Sequence, residues 1–262
     1  MNRYPFWSYL NISAIDAPLI SVSWYLYFVQ KSAESSFNFN YCLILGLSVW
    51  LGYMADRLFD IRFTKEAHFA SLRHQFCKKF ESALWIFWAI VLTVTVFFSL
   101  SYLNSDKIFV GFALVLFILL YNLLNQYFSQ GKFPKEVLVS ILFAYGTLFF
   151  LEGPLEINNF IHFFLICFLN CLIISNKDKQ VDKLMGVRSW AHTFSHRSIC
   201  VVMSLSCIYY LITFKGVMNP FFTTCLVSTI LHSVSHRITA DKFRVTTETL
   251  YTLIPLMALI WP

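Results

Sequence analysis

Nine long apolar segments restrict the folds that this sequence can adopt. In hydrocarbon every backbone polar group must be hydrogen-bonded within its own segment, and a helix that spans the bilayer needs about 20 largely apolar residues. The segments cover residues 10–29, 40–58, 82–102, 108–128, 137–151, 157–175, 198–214, 220–235 and 245–261. The sequence therefore predicts an all-α, polytopic membrane helical bundle with about nine transmembrane helices.

The composition agrees with lipid as the surrounding solvent. Of the 262 residues, 58% are hydrophobic and 13% are charged, whereas soluble domains contain roughly 45–50% apolar and about 25% charged residues. The stretches between the segments are too short for a soluble domain, and none is rich in Gly, Ser or Pro as a linker would be. We therefore expect residues 1–262 to form a single integral membrane domain.

The basic residues lie almost entirely on one side of this predicted topology. Seventeen of the 20 Lys and Arg residues lie on one side: before the first segment, in every second connection, or, for Arg57, at the adjoining end of the second segment. The three others are Lys31, Lys107 and Lys215. Cytoplasmic loops carry such an excess of positive charge. The predicted topology places the N-terminus in the cytoplasm and the C-terminus outside. The net charge of +6 then reflects topology, and we expect no nucleic-acid partner, because no soluble basic domain is present.

Two pairs of aspartates are the most informative polar residues. Asp56 and Asp60 end the sequence GYMADRLFD in the second segment, and Asp178 and Asp182 lie in SNKDKQVD after the sixth. Because i, i+4 spacing places both side chains on one helix face, each pair brings two like charges together. A hard metal ion with oxygen ligands, or basic side chains, would stabilise them.

The predicted topology brings both pairs to the cytoplasmic membrane face. Asp16 and Glu248 begin helices at that face, together with many of the basic residues. Carboxylates beside Lys and Arg suit a site for Mg²⁺ and phosphate. Spacing alone leaves open that they are solvated charges at the membrane surface. The phosphate-binding motifs GxxxxGK[ST] and GxGxxG are absent from the sequence.

At these residues the sequence resembles the UbiA superfamily of intramembrane prenyltransferases. The family has NDxxDxxxD in its second helix and a D-x-x-x-D-x-x-x-G-x-[KR]-[ST] run after its sixth. The second motif is matched by Asp178, Asp182, Gly186, Arg188 and Ser189. Only the end of the first motif is matched, by ADRLFD at residues 55–60. The resemblance covers nearly the whole chain and implies a UbiA-like bundle.

The sequence departs from the family at two places. Gly52 and Tyr53 stand where the family has Asn-Asp, and Asn125 stands where it has a lysine. Lys132 is a displaced substitute for that lysine. The resemblance implies that the four motif aspartates bind Mg²⁺ and are catalytic, and that diphosphate is contacted by Arg57, Lys132, Lys183 and Arg188. The metal ligands would be Asp56, Asp60, Asp178 and Asp182.

The function implied by the resemblance is Mg²⁺-dependent prenyl transfer. An isoprenoid diphosphate would ionise, and its prenyl group would pass to an aromatic or lipid-like hydrophobic acceptor within membrane lipid. A UbiA-type terpene cyclase would use the same ionisation without an acceptor, and the sequence does not separate the two. A non-catalytic or transport protein with the same fold is a further alternative, although the aspartates at helix ends are poorly placed for transport across the midplane.

Histidines offer another kind of metal site. His192 with His196, and His232 with His236, form two HxxxH pairs near the same membrane face. Such pairs bind transition metals in some membrane oxidases. The remaining histidines are poorly placed to complete a set of ligands, so the sequence favours the carboxylate site.

Overall fold

The computed structural model describes residues 4–63, 71–127, 135–184, 189–214 and 219–260. These residues form α helices joined by short turns, without a β strand. The all-α bundle predicted from the sequence is confirmed. Eleven α helices are present in the described ranges: α1 Tyr9–Ile12, α2 Asp16–Lys31, α3 Phe39–Phe63, α4 Leu72–Lys79, α5 Glu81–Tyr102, α6 Ser105–Tyr127, α7 Lys135–Leu148, α8 Ile157–Leu184, α9 His196–Phe214, α10 Pro220–Ser233 and α11 Ala240–Ile260.

The number of membrane crossings is only partly supported. Within the described residues four helices are long and apolar enough to span a bilayer, namely α3, α5, α8 and α9. A fifth span results if the segments Phe6–Ile12 and Asp16–Lys31, which meet at 76°, are counted together. Helices α7 and α10 have 14 residues each, about 21 Å at 1.5 Å per residue, against roughly 30 Å of hydrocarbon. The nine predicted crossings are therefore not confirmed; most predicted segments lie largely on a single helix, but the first is divided between α1 and α2.

Helix α5 shows how the bundle meets its surroundings. Its most apolar stretch of 18 residues has a mean hydropathy of 2.3, yet only 11% of that stretch is buried. Ile86 and Phe97 on this helix are each about two-thirds exposed. In water such a surface would be unfavourable by about 25 cal/mol for each Å², so these side chains are suited to contact lipid.

The largest core cluster lies where α2, α8, α10 and α11 meet. Trp24 is fully buried there, with its ring centroid 4.9 Å from that of Phe163 and 5.0 Å from that of Phe221 in tilted contacts. Its indole Nε1–H donates to the carbonyl of Tyr251 at 3.1 Å. Aromatic rings dominate this core because they bury large areas and gain further from ring contacts. The packing fixes α11 against α2, and so positions the first turns of both helices.

The short helix α4 lies outside the spanning segments and packs against α1, α3 and α5. It begins after Ser71, whose hydroxyl accepts a bond from the His74 backbone N–H at 3.5 Å. The same hydroxyl lies 2.6 Å from His74 Nδ1. This N-cap satisfies a backbone donor and holds the His74 ring toward the end of α3.

Candidate functional site

The first aspartate pair lies near the end of α3, and each member faces a basic side chain. Lys135 Nζ, at the start of α7, is 3.4 Å from Asp56 Oδ1. His74 Nε2, on α4, is 3.9 Å from Asp60 Oδ2. The side chains of Asp56 and Asp60 are 34% and 22% exposed. Both carboxylates are thus partly accessible and lie on the same helix face.

The second pair lies near the end of α8. Asp178 is buried and forms an ion pair with the buried Arg244 of α11, while Arg73 Nη2 of α4 lies 3.9 Å from Asp178 Oδ2. Asp182 Oδ2 is 3.1 Å from Nε2 of His192. Every motif aspartate therefore has a basic neighbour, and Asp178 has two.

A capping box explains the position of His192. Ser189 precedes the 3-10 turn Trp190–Thr193, and its hydroxyl accepts from the Ala191 backbone N–H at 3.0 Å. The buried Glu136 of α7 accepts bonds through Oε1 from Ser189 and, at 2.8 Å, from Ser175 of α8. Helices α7 and α8 thereby anchor the turn that presents His192 to Asp182.

Helix α4 connects the two aspartate pairs. Its adjacent residues Arg73 and His74 contact Asp178 and Asp60 respectively, so the ends of α3 and α8 both approach this helix. Burial lowers the pKa of His74 to about 2, and the cationic Arg73, Arg244 and Arg57 add to this effect. His74 is consequently neutral at physiological pH and serves as a hydrogen-bonding group.

Three buried donor positions near Asp178 and Asp60 have no hydrogen-bond partner within the described part of the chain. They are Nε of Arg73, Nε of Arg244 and Nε2 of His74. Leaving a buried donor unpaired costs about 1–3 kcal/mol, and more for a charged group. The two unpaired guanidinium donors favour an anion with several oxygen acceptors, as a diphosphate has.

The chemistry of the donor set also suits Mg²⁺. Asp56, Asp60, Asp178 and Asp182 offer carboxylate oxygens, which hard cations prefer, and Mg²⁺ usually takes one or two carboxylates together with substrate phosphate and water. Each carboxylate lies beside its own basic neighbour. With Mg²⁺ and an anion bound, the carboxylates would pair with the metal and the guanidinium groups with phosphate.

The predicted diphosphate contacts are distributed unevenly. Arg57 is buried, and its Nη1 donates to the carbonyls of Asn11 and, at 3.2 Å, Ile12. These bonds join α3 to α1. Lys183 is exposed in the last turn of α8. Lys132 and Arg188 lie outside the described residues.

Sequence reasoning missed the basic residues that contact the aspartates. Arg73 and Arg244 contributed only to the charge count, and Lys135 and His192 only to broader motifs. A signal was present for Arg244, because an arginine four residues before Glu248 in an apolar helix requires a buried partner. No comparable signal exists for Arg73, since its contact with Asp178 joins segments more than 100 residues apart.

A second polar cluster lies where α2 meets α11. The side-chain amide of Asn11 donates to Asp16 Oδ2 at 2.6 Å and to Glu248 Oε2 at 2.7 Å. These residues line one end of a cavity of about 170 Å³ whose other walls are mostly apolar. Side chains from both helices complete the lining: Leu10, Leu19, Val245, Thr249, Thr252 and Leu253. The predicted convergence of Asp16 and Glu248 is therefore observed.

One of three comparisons with known proteins finds a similar fold. No protein-family model matches the sequence, and no curated protein is significantly similar to it. The solved structure of digeranylgeranylglyceryl phosphate synthase matches with a TM-score of 0.53 at 16% identity, over 97% of this chain and 95% of that one. That enzyme is a UbiA-superfamily prenyltransferase. The chain therefore shares the fold of that enzyme, as the predicted resemblance implies.

Proposed function

We propose that this protein is a Mg²⁺-dependent intramembrane prenyltransferase that transfers a prenyl group from an isoprenoid diphosphate to an aromatic or lipid-like acceptor. The observation that best supports this proposal is the position of Asp178 between Arg73 and Arg244. Asp60 lies near His74, the residue that follows Arg73 on α4. Carboxylates and unpaired guanidinium donors therefore converge at one end of a lipid-exposed bundle, which is what a metal-bound diphosphate requires.

The proposed roles follow from the contacts of each side chain. The four motif aspartates would hold Mg²⁺, which neutralises charge on the departing diphosphate when bound. Arg73 and Arg244 would bind diphosphate oxygens through their unpaired Nε–H groups. Lys135 would move from Asp56 to a phosphate oxygen. These fixed charges stabilise the charge that develops as the leaving group departs.

Ionisation breaks the allylic C–O bond, and the bonding electron pair leaves with the diphosphate oxygen. The resulting allylic cation is captured by the acceptor, which then loses a proton. Burial of His74, Asp178 and Arg244 reduces the access of water to the second aspartate motif, and water would otherwise capture the cation. In a low-dielectric site the attraction between each charged pair is also stronger than in water.

We place the acceptor in the cavity between α2 and α11. Its apolar walls suit a hydrophobic molecule, and the Asn11, Asp16 and Glu248 cluster offers hydrogen-bonding groups for a polar end. A carboxylate there can also accept the proton that the acceptor loses. The proposed orientation, with the aspartates facing the cytoplasm, is tested by reporter fusions after α3 and α8, which should both report a cytoplasmic location.

The test of this function is product identification. Purified protein is incubated with Mg²⁺ and allylic diphosphates of several chain lengths, with and without a membrane lipid extract. Prenylated lipid formed only with extract and Mg²⁺ supports a transferase. Cyclic hydrocarbon formed without extract identifies a terpene cyclase. Absence of pyrophosphate release under all conditions would contradict the enzyme proposal and favour a non-catalytic or transport protein of this fold.

A further inference from the structure

The region where α9 begins and α10 ends contains a cluster of three metal-binding side chains. His196 is the first residue of α9, Cys200 follows one turn later, and His232 lies in the last turn of α10. Their potential ligand atoms all lie within 4.8 Å of one another. The two imidazole rings are 4.3 Å apart between centroids, and Cys200 Sγ is 3.8 Å from His196 Nε2.

His232 gives independent evidence that this cluster binds a ligand. The residue is 1% exposed, and neither Nδ1 nor Nε2 has a hydrogen-bond partner among the described residues. The His196 backbone is close enough to influence the ring without meeting hydrogen-bond geometry. A buried imidazole normally satisfies at least one nitrogen. One of its ring nitrogens lies within 4.8 Å of potential ligand atoms of another histidine and a thiol.

We propose that His196, Cys200 and His232 bind a borderline-soft transition-metal ion, with Zn²⁺ as the best match. Two imidazoles and a thiolate are typical zinc ligands, and a site with three protein ligands takes water as its fourth. On binding, the Cys200 thiol releases its proton to solvent and the thiolate donates an electron pair to the ion. This site uses neither the motif aspartates nor Mg²⁺.

The geometry requires only a small adjustment. In a tetrahedral site with bonds of about 2.0–2.3 Å, ligand atoms lie roughly 3.3–3.8 Å apart. The side chains of the exposed His196 and the half-exposed Cys200 have room to rotate and bring the ligand atoms about 1 Å closer together. His232 is fixed by packing near Phe243. The nearby Lys177 ammonium donates to the Ser235 carbonyl at 2.7 Å, so it is directed away from the ligand atoms.

The histidines do not pair as the two HxxxH patterns of the sequence indicated. His192 contacts Asp182, and His236 lies 3.3 Å from Arg237 Nε, so each sequence pair contributes only one member to the cluster. A bound ion would connect the beginning of α9 to the end of α10. Zinc should therefore stabilise the folded chain by linkage, because the unfolded chain does not hold the three ligands together.

The test uses full-length protein purified in detergent and stripped with a chelator. We expect one Zn²⁺ per chain and a rise in melting temperature on adding Zn²⁺. Co²⁺ should give a thiolate-to-cobalt charge-transfer band. Cys200→Ala and His196→Ala should each weaken binding at least tenfold, since a ligand is lost and a two-ligand site remains. These residues are not fully buried, so both variants should fold.

Matched controls are Cys42→Ala, a half-buried cysteine on α3, and His236→Ala, an exposed histidine outside the cluster. Both should bind Zn²⁺ and Co²⁺ like the parent. The proposal is overturned if the parent binds no Zn²⁺, if Cys200→Ala keeps parental affinity, or if bound Co²⁺ lacks the thiolate band. The last result would assign the ion to oxygen ligands elsewhere in the protein.

Discussion

Arg73 and Asp178 lie 3.9 Å apart between Nη2 and Oδ2, although 105 residues separate them in the sequence. Arg73 belongs to the short helix α4, and Asp178 to the longest helix, α8. This contact places the guanidinium of Arg73, a residue outside the spanning segments, next to the second aspartate motif. In the proposed enzyme it links diphosphate binding to the metal ligands.

The first prediction concerns Arg73. Arg73→Met should lower kcat/KM for an allylic diphosphate by about ten- to a hundredfold, because a hydrogen bond to a charged group contributes about 1.5–3 kcal/mol. Arg73→Lys should recover part of the loss, since it keeps the charge but not the forked donors. Steady-state pyrophosphate release measures both effects. The control is Arg62→Met, an exposed arginine at the end of α3; equal losses in both variants would exclude a specific role for Arg73.

The second prediction concerns His74 and acid stability. Burial lowers the pKa of His74 to about 2 in the folded chain, below the unfolded value of about 6.5. Between these values the unfolded state binds the extra proton, so stability falls as the pH falls below about 6.5. At pH 5 the loss due to this residue should be about 2 kcal/mol.

Thermal melts in detergent from pH 7 to pH 5 measure this effect. His74→Gln should reduce the dependence of the melting temperature on pH, because glutamine does not titrate. His236→Gln, at an exposed position, is the matched control and should retain the parental slope. A parental slope in His74→Gln would show that other groups cause the acid sensitivity.

The sequence predicted much of the helical architecture but few of the site contacts. Most apolar segments lie largely on a single helix of the described chain, and the first is divided between α1 and α2. Helices are expected because backbone polar groups in lipid must be hydrogen-bonded within the segment. The i, i+4 spacing and the one-sided distribution of Lys and Arg residues predicted that Asp60 and Asp178 would lie toward the same end of the bundle. Helix α4 was not predicted, since its eight residues are mainly polar. Its contacts therefore depend on tertiary packing, and so does the pairing of His196 with His232.

The third prediction concerns Tyr53, which stands where related enzymes have a motif aspartate. Tyr53 packs with its ring centroid 6.3 Å from that of Phe143. Tyr53→Asp should add a carboxylate to the proposed metal shell and lower the Mg²⁺ concentration for half-maximal activity, because hard-cation affinity rises with ligand charge. Activity is titrated with Mg²⁺ in both proteins. Tyr53→Asn controls for loss of the ring, and an unchanged midpoint in Tyr53→Asp would place residue 53 outside the metal shell.

The fourth prediction separates acceptor binding from ionisation. Glu248→Gln removes the carboxyl group beside the proposed acceptor cavity while Asn11 retains its bond to Asp16. We expect a severalfold rise in KM for acceptor, or slower transfer if Glu248 accepts the proton. Pyrophosphate release without acceptor should stay near the parental rate. If that rate falls instead, Glu248 acts in ionisation and the acceptor assignment is wrong.

The proposed ionisation centre depends on the second aspartate pair. Asp178→Asn removes charge while nearly keeping shape, but it leaves Arg244 without its buried partner, which can cost about 3–5 kcal/mol of stability. Asp182 is more accessible, with its side chain 15% exposed, so Asp182→Asn should fold more readily. Using both variants distinguishes loss of catalysis from loss of folding.

The most direct measurement is pyrophosphate release from an allylic diphosphate by folded Asp178→Asn and Asp182→Asn proteins, with saturating Mg²⁺, with and without acceptor. Each variant should be slower than the parent by at least about a hundredfold, since roughly 2.7 kcal/mol of lost transition-state stabilisation has that effect. The loss should be the same under both acceptor conditions. Asp106→Asn, at an exposed position on α6, should release pyrophosphate at the parental rate. Parental release by both folded motif variants would contradict the proposed role of Asp178 and Asp182 in ionisation.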